Sequence, residues 1–199
     1  MSQSAIQPAF ADASRGAQAV FRSVMDAMSR PGRITPLDAG FAPPAPLNAA
    51  AAAILIALAD FETPLWLDGP LARHGEVAEF LRFHTGAKLA PTPDAAAFAV
   101  IADPASAPTL GAFAQGTPDY PDRSTTVILQ VERLTPDGWQ IAGPGINGHA
   151  HFGATPLPGD LTHQFKNNRA RFPLGVDLIF AGPSEIAALP RSTRILEAR

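Results

Sequence analysis

Apolar residues recur at helical spacing near the start of the chain, between residues 10 and 29. Residues four positions apart lie on the same face of an α-helix, so this spacing predicts an amphipathic helix. The Pro31-Gly32 pair that follows predicts its end, because proline and glycine rarely continue a helix. We expect five apolar side chains to be buried on its inner face: Val20, Phe21, Val24, Met25 and Met28.

The apolar pattern then alternates between the helical period and short runs typical of strands. Residues 47–60 are alanine-rich and apolar on nearly all sides, which predicts a buried helix. The continuous apolar run at residues 97–102 is typical of a strand buried on both faces. Further helices are predicted over residues 75–85, 108–115 and 161–169, and further strands over residues 64–68, 124–131, 139–142 and 176–180.

Helices that alternate with strands predict a three-layer α/β fold, with residues 1–199 forming a single domain. The Pro136-Asp137-Gly138 turn between the predicted strands 124–131 and 139–142 predicts a hairpin. A hairpin brings antiparallel pairing, so we expect the sheet to be mixed.

Composition excludes several functional classes. The net charge of −3 over 199 residues provides no general attraction to nucleic acid or to an anionic membrane. No apolar run approaches the ~20 residues that span a bilayer, and residues 1–10 do not form a secretory signal. We therefore expect a cytoplasmic protein. Because the sequence contains no cysteine, disulfides, thiolate nucleophiles and iron–sulfur clusters are excluded.

Two motifs suggest cofactor or metal chemistry without supporting it. Residues 143–148 match G-x-G-x-x-G, but a proline lies between the glycines and no helix is predicted to follow, so we interpret them as a tight loop after a strand. The His149-x-His151 pair has metal-ligand spacing but lacks a nearby third ligand before Asp160. Neither lysine, Lys88 or Lys166, closely follows a strand, where a pyridoxal phosphate would be held. We predict no cofactor and no metal.

Charged residues cluster at predicted turns and raise a question that the pattern leaves open. Asp177 lies in an apolar strand, and four arginines surround it in the sequence: Arg169, Arg171, Arg191 and Arg194. A carboxylate there is costly unless it is paired. Arginine forks also match phosphate and carboxylate oxygens, so these residues either stabilise the fold or form an anion-binding or subunit-contact surface. The candidates for a ligand site or interface are Arg30, Asp122, Arg123, Gly143, Gly145, Asp177, Arg191 and Arg194.

Six short motifs, in order along nearly the whole chain, resemble one known family. They are FRxxMxAMSxPG from Phe21, DxETPxWL from Asp60, PDRS from Pro121, GPGI from Gly143, FPLGVD from Phe172 and LPRxTR from Leu189. Together they resemble the H subunit of the bacterial carbon–phosphorus lyase system for phosphonate use. None of the motifs is a catalytic signature.

The resemblance implies a fold like that of pyridoxal-phosphate-dependent transferases, without the cofactor. It also implies a homodimer when isolated and otherwise a core complex with the G, I and J subunits. That system forms an alkylphosphonate ribose 5-triphosphate from ATP and an alkylphosphonate and releases adenine. The later cleavage step needs an iron–sulfur subunit, which a chain without cysteine cannot be. The implied role is that of an accessory subunit, not catalytic alone.

Two other functions remain open. The chain could be a stand-alone protein or enzyme that binds a small anion such as a phosphonate or nucleotide, or a metal hydrolase that uses His149 and His151. For the subunit interpretation, we expect replacement of Arg191 or Arg123 by alanine to weaken assembly more than stability.

Overall fold

A six-stranded mixed sheet forms the centre of the molecule. The structure, a computed structural model, describes residues 8–197, apart from the side chain of residue 197. The spatial order of the strands is β1-β8-β7-β4-β3-β2; β2, β3, β4 and β7 are parallel, and β8 and β1 add antiparallel pairings at one edge. These strands are β1 (Thr35–Pro36), β2 (Leu65–Leu67), β3 (Phe98–Ile101), β4 (Thr126–Gln130), β7 (Asp177–Ala181) and β8 (Glu185–Leu189).

A second, three-stranded sheet has the order β6-β5-β9, in which β5 pairs antiparallel with both neighbours. Within residues 8–197, the other regular elements are five α-helices and three short 3-10 turns. The strands of the second sheet are β5 (Arg133–Ala142), β6 (Ala150–Thr155) and β9 (Arg194–Glu197). The helices are α1 (Ala13–Ser29), α2 (Ala49–Leu58), α3 (Gly69–Ala72), α4 (Gly75–Thr85) and α5 (Leu161–Ala170).

The two faces of the central sheet are covered by different layers. Along β3, Val100 packs with α1, α2 and α4 on one face, while Ile101 packs with α5 and the second sheet on the other. Alternate residues point to opposite faces of a strand, which explains why strands of the central sheet read as continuous apolar runs. The predicted α/β fold with a mixed sheet is confirmed, although one outer layer is partly a sheet.

The predicted hairpin between residues 124–131 and 139–142 is wrong. Strand β4 pairs with β3 and β7, whereas β5 belongs to the second sheet. The Pro136-Asp137-Gly138 segment is an irregularity within β5, where the pairing register with β6 shifts between Thr135 and Trp139. The hydroxyl of Thr135 donates to the carbonyl of Asp137 (2.8 Å). The turn-like sequence therefore forms a bulge within the strand and does not end it. The antiparallel pairing of the central sheet arises instead between β7 and β8 and between β8 and β1.

Two helix predictions also differ from the structure. In α1, Phe21 and Met25 are 47% and 51% exposed, because the buried face is formed by Val20, Val24 and Ala27 and successive helical residues are rotated by about 100°. Residues 108–115 form only a 3-10 turn at Leu110–Ala112. A proline and a glycine in that stretch explain the shortened helix.

The membrane and targeting predictions are tested only in part. No helix within residues 8–197 is long and apolar enough to cross a membrane. Most of residues 1–10, on which the absence of a secretory signal rests, lies outside the described residues.

His84 provides a test of the packing at the end of α4. Its ring lies 4.5 Å from Phe80 and 5.0 Å from Phe83, and its Nε2 has no hydrogen-bond partner among the described residues. Burial lowers the pKa of this imidazole, because burial disfavours its charged form.

We therefore expect acid to destabilise the fold through His84. As the pH falls through the ordinary histidine pKa of about 6.5, the unfolded chain takes up the proton first, so stability decreases until the folded pKa is passed. Urea unfolding between about pH 7.5 and about pH 5.5 should show a smaller decrease for His84→Phe and His84→Gln than for the wild type. The expectation would be contradicted if the free energy of unfolding decreased with falling pH as steeply in both variants as in the wild type.

Candidate functional site

An internal ion pair occupies the end of the sheet where β7 begins and β8 ends. Asp177 is the first residue of β7, and Arg191 follows β8. The Arg191 backbone amide and Nε donate to Asp177 Oδ1 at 2.8 and 3.1 Å, and a terminal nitrogen donates to Oδ2. The two side chains are only 14% and 15% exposed, so the pair is largely shielded from solvent.

The other guanidinium donors of Arg191 bind two distant loops. One terminal nitrogen donates to the carbonyls of Pro121 (2.7 Å) and Pro173 (3.4 Å), and the other also donates to the hydroxyl of Ser124. A guanidinium carries five N–H groups, and all five are used by these contacts and Asp177. Arg191 therefore fastens three segments together and retains no donor for a ligand.

The other three arginines near Asp177 in the sequence lie apart from this pair. Arg169 stacks on Phe172 (4.8 Å), Arg171 lies 3.4 Å from the Gln115 side-chain oxygen, and Arg194 is exposed at the start of β9. Arg169 and Arg171 thus make local contacts, and of the four arginines only Arg191 pairs with the carboxylate in the described part of the chain.

The first and last residues of the PDRS motif bind Arg191, and the two charged residues between them do not. Pro121 and Ser124 accept from Arg191, whereas Asp122 is exposed and Arg123 stacks on the Tyr120 ring at 4.2 Å. Sequence reasoning singled out the charged pair and missed the serine and the proline carbonyl. A backbone carbonyl acceptor cannot be predicted from a sequence, since every residue carries a carbonyl.

The GPGI motif forms a loop between β5 and β6, as predicted from the interrupted glycine pattern. A Cβ at Gly145, where φ is +83°, would overlap the carbonyl oxygen of Ser29 at the end of α1. A Cβ at Gly143 would lie 3.1 Å from the carbonyl oxygen of Ser192, in the turn before β9. The two glycines thus allow the loop to approach both backbones closely.

A cavity of ≈ 580 Å³ lies between this loop and the end of α1. We call it the basic cavity, because the ionisable side chains that line it are Arg30, Arg33, His149 and His151. Its other lining residues are Pro31, Gly32, Ile34, Pro136, Gly145, Ile146, Asn147 and Ala150. The structure therefore brings together Arg30, Gly145 and the histidine pair, which are far apart in the sequence.

The arginines of the basic cavity are bound far less completely than Arg191. A terminal nitrogen of Arg30 lies 2.8 Å from Asp26 Oδ1, and one of Arg33 lies 3.8 Å from Asp26 Oδ2. The Arg30 and Arg33 side chains are 54% and 57% exposed, so these ion pairs contribute little to stability. Within residues 8–197, neither guanidinium makes a further hydrogen bond, and the donors that point away from Asp26 remain available.

The histidine pair does not form a metal centre with its surroundings. The rings of His149 and His151 are 5.8 Å apart, and no group of three or more His, Cys, Asp or Glu side chains suited to a metal occurs within the described residues. Lys88 and Lys166, the residues considered for a covalent cofactor, lie at exposed positions outside the basic cavity.

Sequence comparison assigns this α/β chain to a family. The family model described as "Bacterial phosphonate metabolism protein (PhnH)" matches residues 8–196, so the chain belongs to the PhnH family. The resemblance predicted from the six motifs is thereby confirmed.

Two relatives give the comparison more detail. The "Alpha-D-ribose 1-methylphosphonate 5-triphosphate synthase subunit PhnH" of Rhizobium meliloti (strain 1021) is 40% identical over 190 residues, 94% of each chain. The "Putative C-P lyase subunit protein HtxG" of Stutzerimonas stutzeri is 32% identical over 183 residues, 89% of this chain and 85% of the relative. Both relatives are named as subunits of larger assemblies.

Proposed function

We propose that this chain is an accessory subunit of the complex that forms alkylphosphonate ribose 5-triphosphate from ATP and an alkylphosphonate, with release of adenine. The observation that carries the proposal is the 40% identity to the Rhizobium synthase subunit along 94% of both chains. Similarity over the full length supports a shared role more strongly than a single matching motif would.

The chemistry of the described residues agrees with an accessory role. The arginine with the most elaborate contacts, Arg191, uses its donors on the chain itself. The sequence contains no cysteine, so this chain does not hold the iron–sulfur cluster of the later cleavage step. The proposed partners are the G, I and J subunits, with a homodimer when the chain is isolated. The transferase-like fold without cofactor belongs to the same proposal.

Co-purification tests the proposal. We expect a tagged copy of this chain, produced together with the G, I and J subunits, to retain them through affinity and size-exclusion chromatography. The assembled complex should release adenine from ATP when methylphosphonate is present, and a preparation without this chain should lose most of that activity. The isolated chain is the matched control and should release no adenine.

Two results would overturn the accessory role. One is a chain that associates with none of the three subunits. The other is adenine release by the isolated chain, which would favour the stand-alone enzyme considered from the sequence.

A further inference from the structure

We propose that the basic cavity binds the phosphate chain of a nucleotide or ribose triphosphate. The choice of ligand rests on the proposed function, whereas the existence of an anion site rests on the cavity itself. The cavity would make this accessory subunit a contributor to substrate or product binding as well as to assembly.

The charge of the basic cavity favours an anion. Two guanidinium groups and two imidazoles line it, and none of the described residues adds a carboxylate to the lining. The nearby Asp26 can neutralise one of the two arginine charges, so the arginine pair retains a net positive charge. Both guanidinium groups lie within 4 Å of this one carboxylate, which shows that they are held close together. Two adjacent forks can bind neighbouring phosphate groups through several charge-assisted hydrogen bonds.

The size and walls of the cavity favour an extended ligand over a single phosphonate group. Its volume of ≈ 580 Å³ lies within the range typical of small-molecule sites. Ile34, Ile146 and Pro136 supply apolar surface beside the cationic groups, which suits a molecule with both a phosphate chain and a sugar. A lone phosphonate would contact only part of this surface.

Neither other cluster of polar groups meets these conditions as well. The Arg191 guanidinium has all its donors in internal hydrogen bonds. A second cavity of ≈ 240 Å³ beside α5 contains His163 and, among residues 8–197, a single guanidinium, that of Arg171; the carboxylate of Asp160 also lines it. The basic cavity is therefore the better anion site.

The competing interpretation is purely structural. Arg30 and Arg33 lie just after the carboxyl end of α1, where positive charge stabilises a helix. A structural role predicts that their removal lowers stability without changing ligand binding. The test must therefore measure binding and stability on the same variants, and it should leave Arg30, which is closest to Asp26, unchanged.

Calorimetry with tripolyphosphate as the probe tests the inference on the isolated full chain. We expect binding by the wild type that weakens as salt is raised to about 0.3 M, because exposed charges are screened. The double variant Arg33→Ala/His149→Ala should bind about tenfold more weakly, while its melting temperature remains close to that of the wild type. The matched control Arg82→Ala removes an exposed arginine on α4, away from the cavity, and should bind as the wild type does.

Additional probes identify the part of the ligand that is recognised. ATP should bind at least as tightly as tripolyphosphate, and methylphosphonate should bind more weakly than either. If the double variant does not fold, the single variant Arg33→Lys, which keeps the charge but loses the fork, takes its place and should bind tripolyphosphate more weakly than the wild type. Absence of tripolyphosphate binding by the wild type would overturn the inference. So would equal loss in Arg82→Ala, or methylphosphonate binding tighter than tripolyphosphate.

Failure of this inference is distinguishable from failure of the proposed function. A chain that co-purifies with its partners but does not bind tripolyphosphate contradicts the anion site alone. A chain that binds tripolyphosphate through the basic cavity but joins none of the partners supports the anion site and contradicts the accessory role.

Discussion

Replacing Arg191 with alanine should destabilise the isolated chain by about 3–5 kcal/mol, measured by urea unfolding. The substitution leaves the Asp177 carboxylate shielded without its partner and removes hydrogen bonds to Pro121, Ser124 and Pro173. This geometry shifts our expectation from the sequence, which placed the main effect of the variant on assembly. Arg191→Lys should recover only part of the stability, because an ammonium cannot reach several acceptors in one plane.

Two comparisons make the Arg191 prediction specific. Arg123→Ala removes a nearby arginine that stacks on an exposed tyrosine, and it should cost about 1 kcal/mol or less. The double variant Arg191→Met/Asp177→Leu replaces the ion pair with apolar side chains and should be more stable than Arg191→Ala. If Arg191→Ala retains wild-type stability and loses only its association with partners, the prediction that Arg191 stabilises the fold is wrong. A role for Arg191 in subunit contact is then favoured.

Replacing Gly145 with alanine should cost about 2–5 kcal/mol. The residue has φ +83°, which is unfavourable by about 1–2 kcal/mol for a residue with a Cβ, and the new methyl group would overlap the Ser29 carbonyl. Relief of that overlap requires the loop to move away from α1, which adds about 1–3 kcal/mol. The same movement opens the basic cavity, so tripolyphosphate binding should weaken as well.

Gly148→Ala is the matched control, because it lies in the same loop at φ +75° but a Cβ there would meet nothing within 4 Å. We expect Gly148→Ala to lower the free energy of unfolding only by the cost of a positive φ in a residue with a Cβ, about 1–2 kcal/mol. Thermal unfolding of the two variants side by side separates the backbone effect from the steric effect. Equal melting temperatures for Gly145→Ala and Gly148→Ala would show that overlap with the Ser29 carbonyl does not affect stability.

Local pattern predicted most helices and strands but mispredicted elements whose surroundings decide their form. The buried helix α2 and the apolar strands of the central sheet were predictable, because burial on all sides leaves a continuous apolar signature. Strand β5 was misinterpreted, since its bulge residues resemble a turn until their partners in β6 are known. In α1, two apolar residues form a second face that the described chain leaves exposed.

Prediction of the candidate site was limited in the same way. The sequence suggested Arg30, Gly145, Asp177 and Arg191 as a group, and the structure divides them between an internal ion pair and a cavity. Arg33, His149 and His151 also line that cavity, whereas the spacing of the histidines in the sequence suggests only metal ligands. The sequence signal for Arg33 is its position three residues after Arg30, just beyond the end of α1, but nothing in the sequence connects it to residues 145–151.

The amino-acid sequence by itself determined the family and the α/β class, because ordered motifs and apolar periodicity are local properties of the chain, whereas the antiparallel edge of the central sheet came from tertiary pairing of β7, β8 and β1. Only the tertiary structure decided which arginines use all their N–H donors within the chain and which keep donors for a ligand. Two acceptors of Arg191 come from Pro121 and Ser124, 70 and 67 positions away, and no local pattern shows which distant carbonyls and hydroxyls surround a guanidinium.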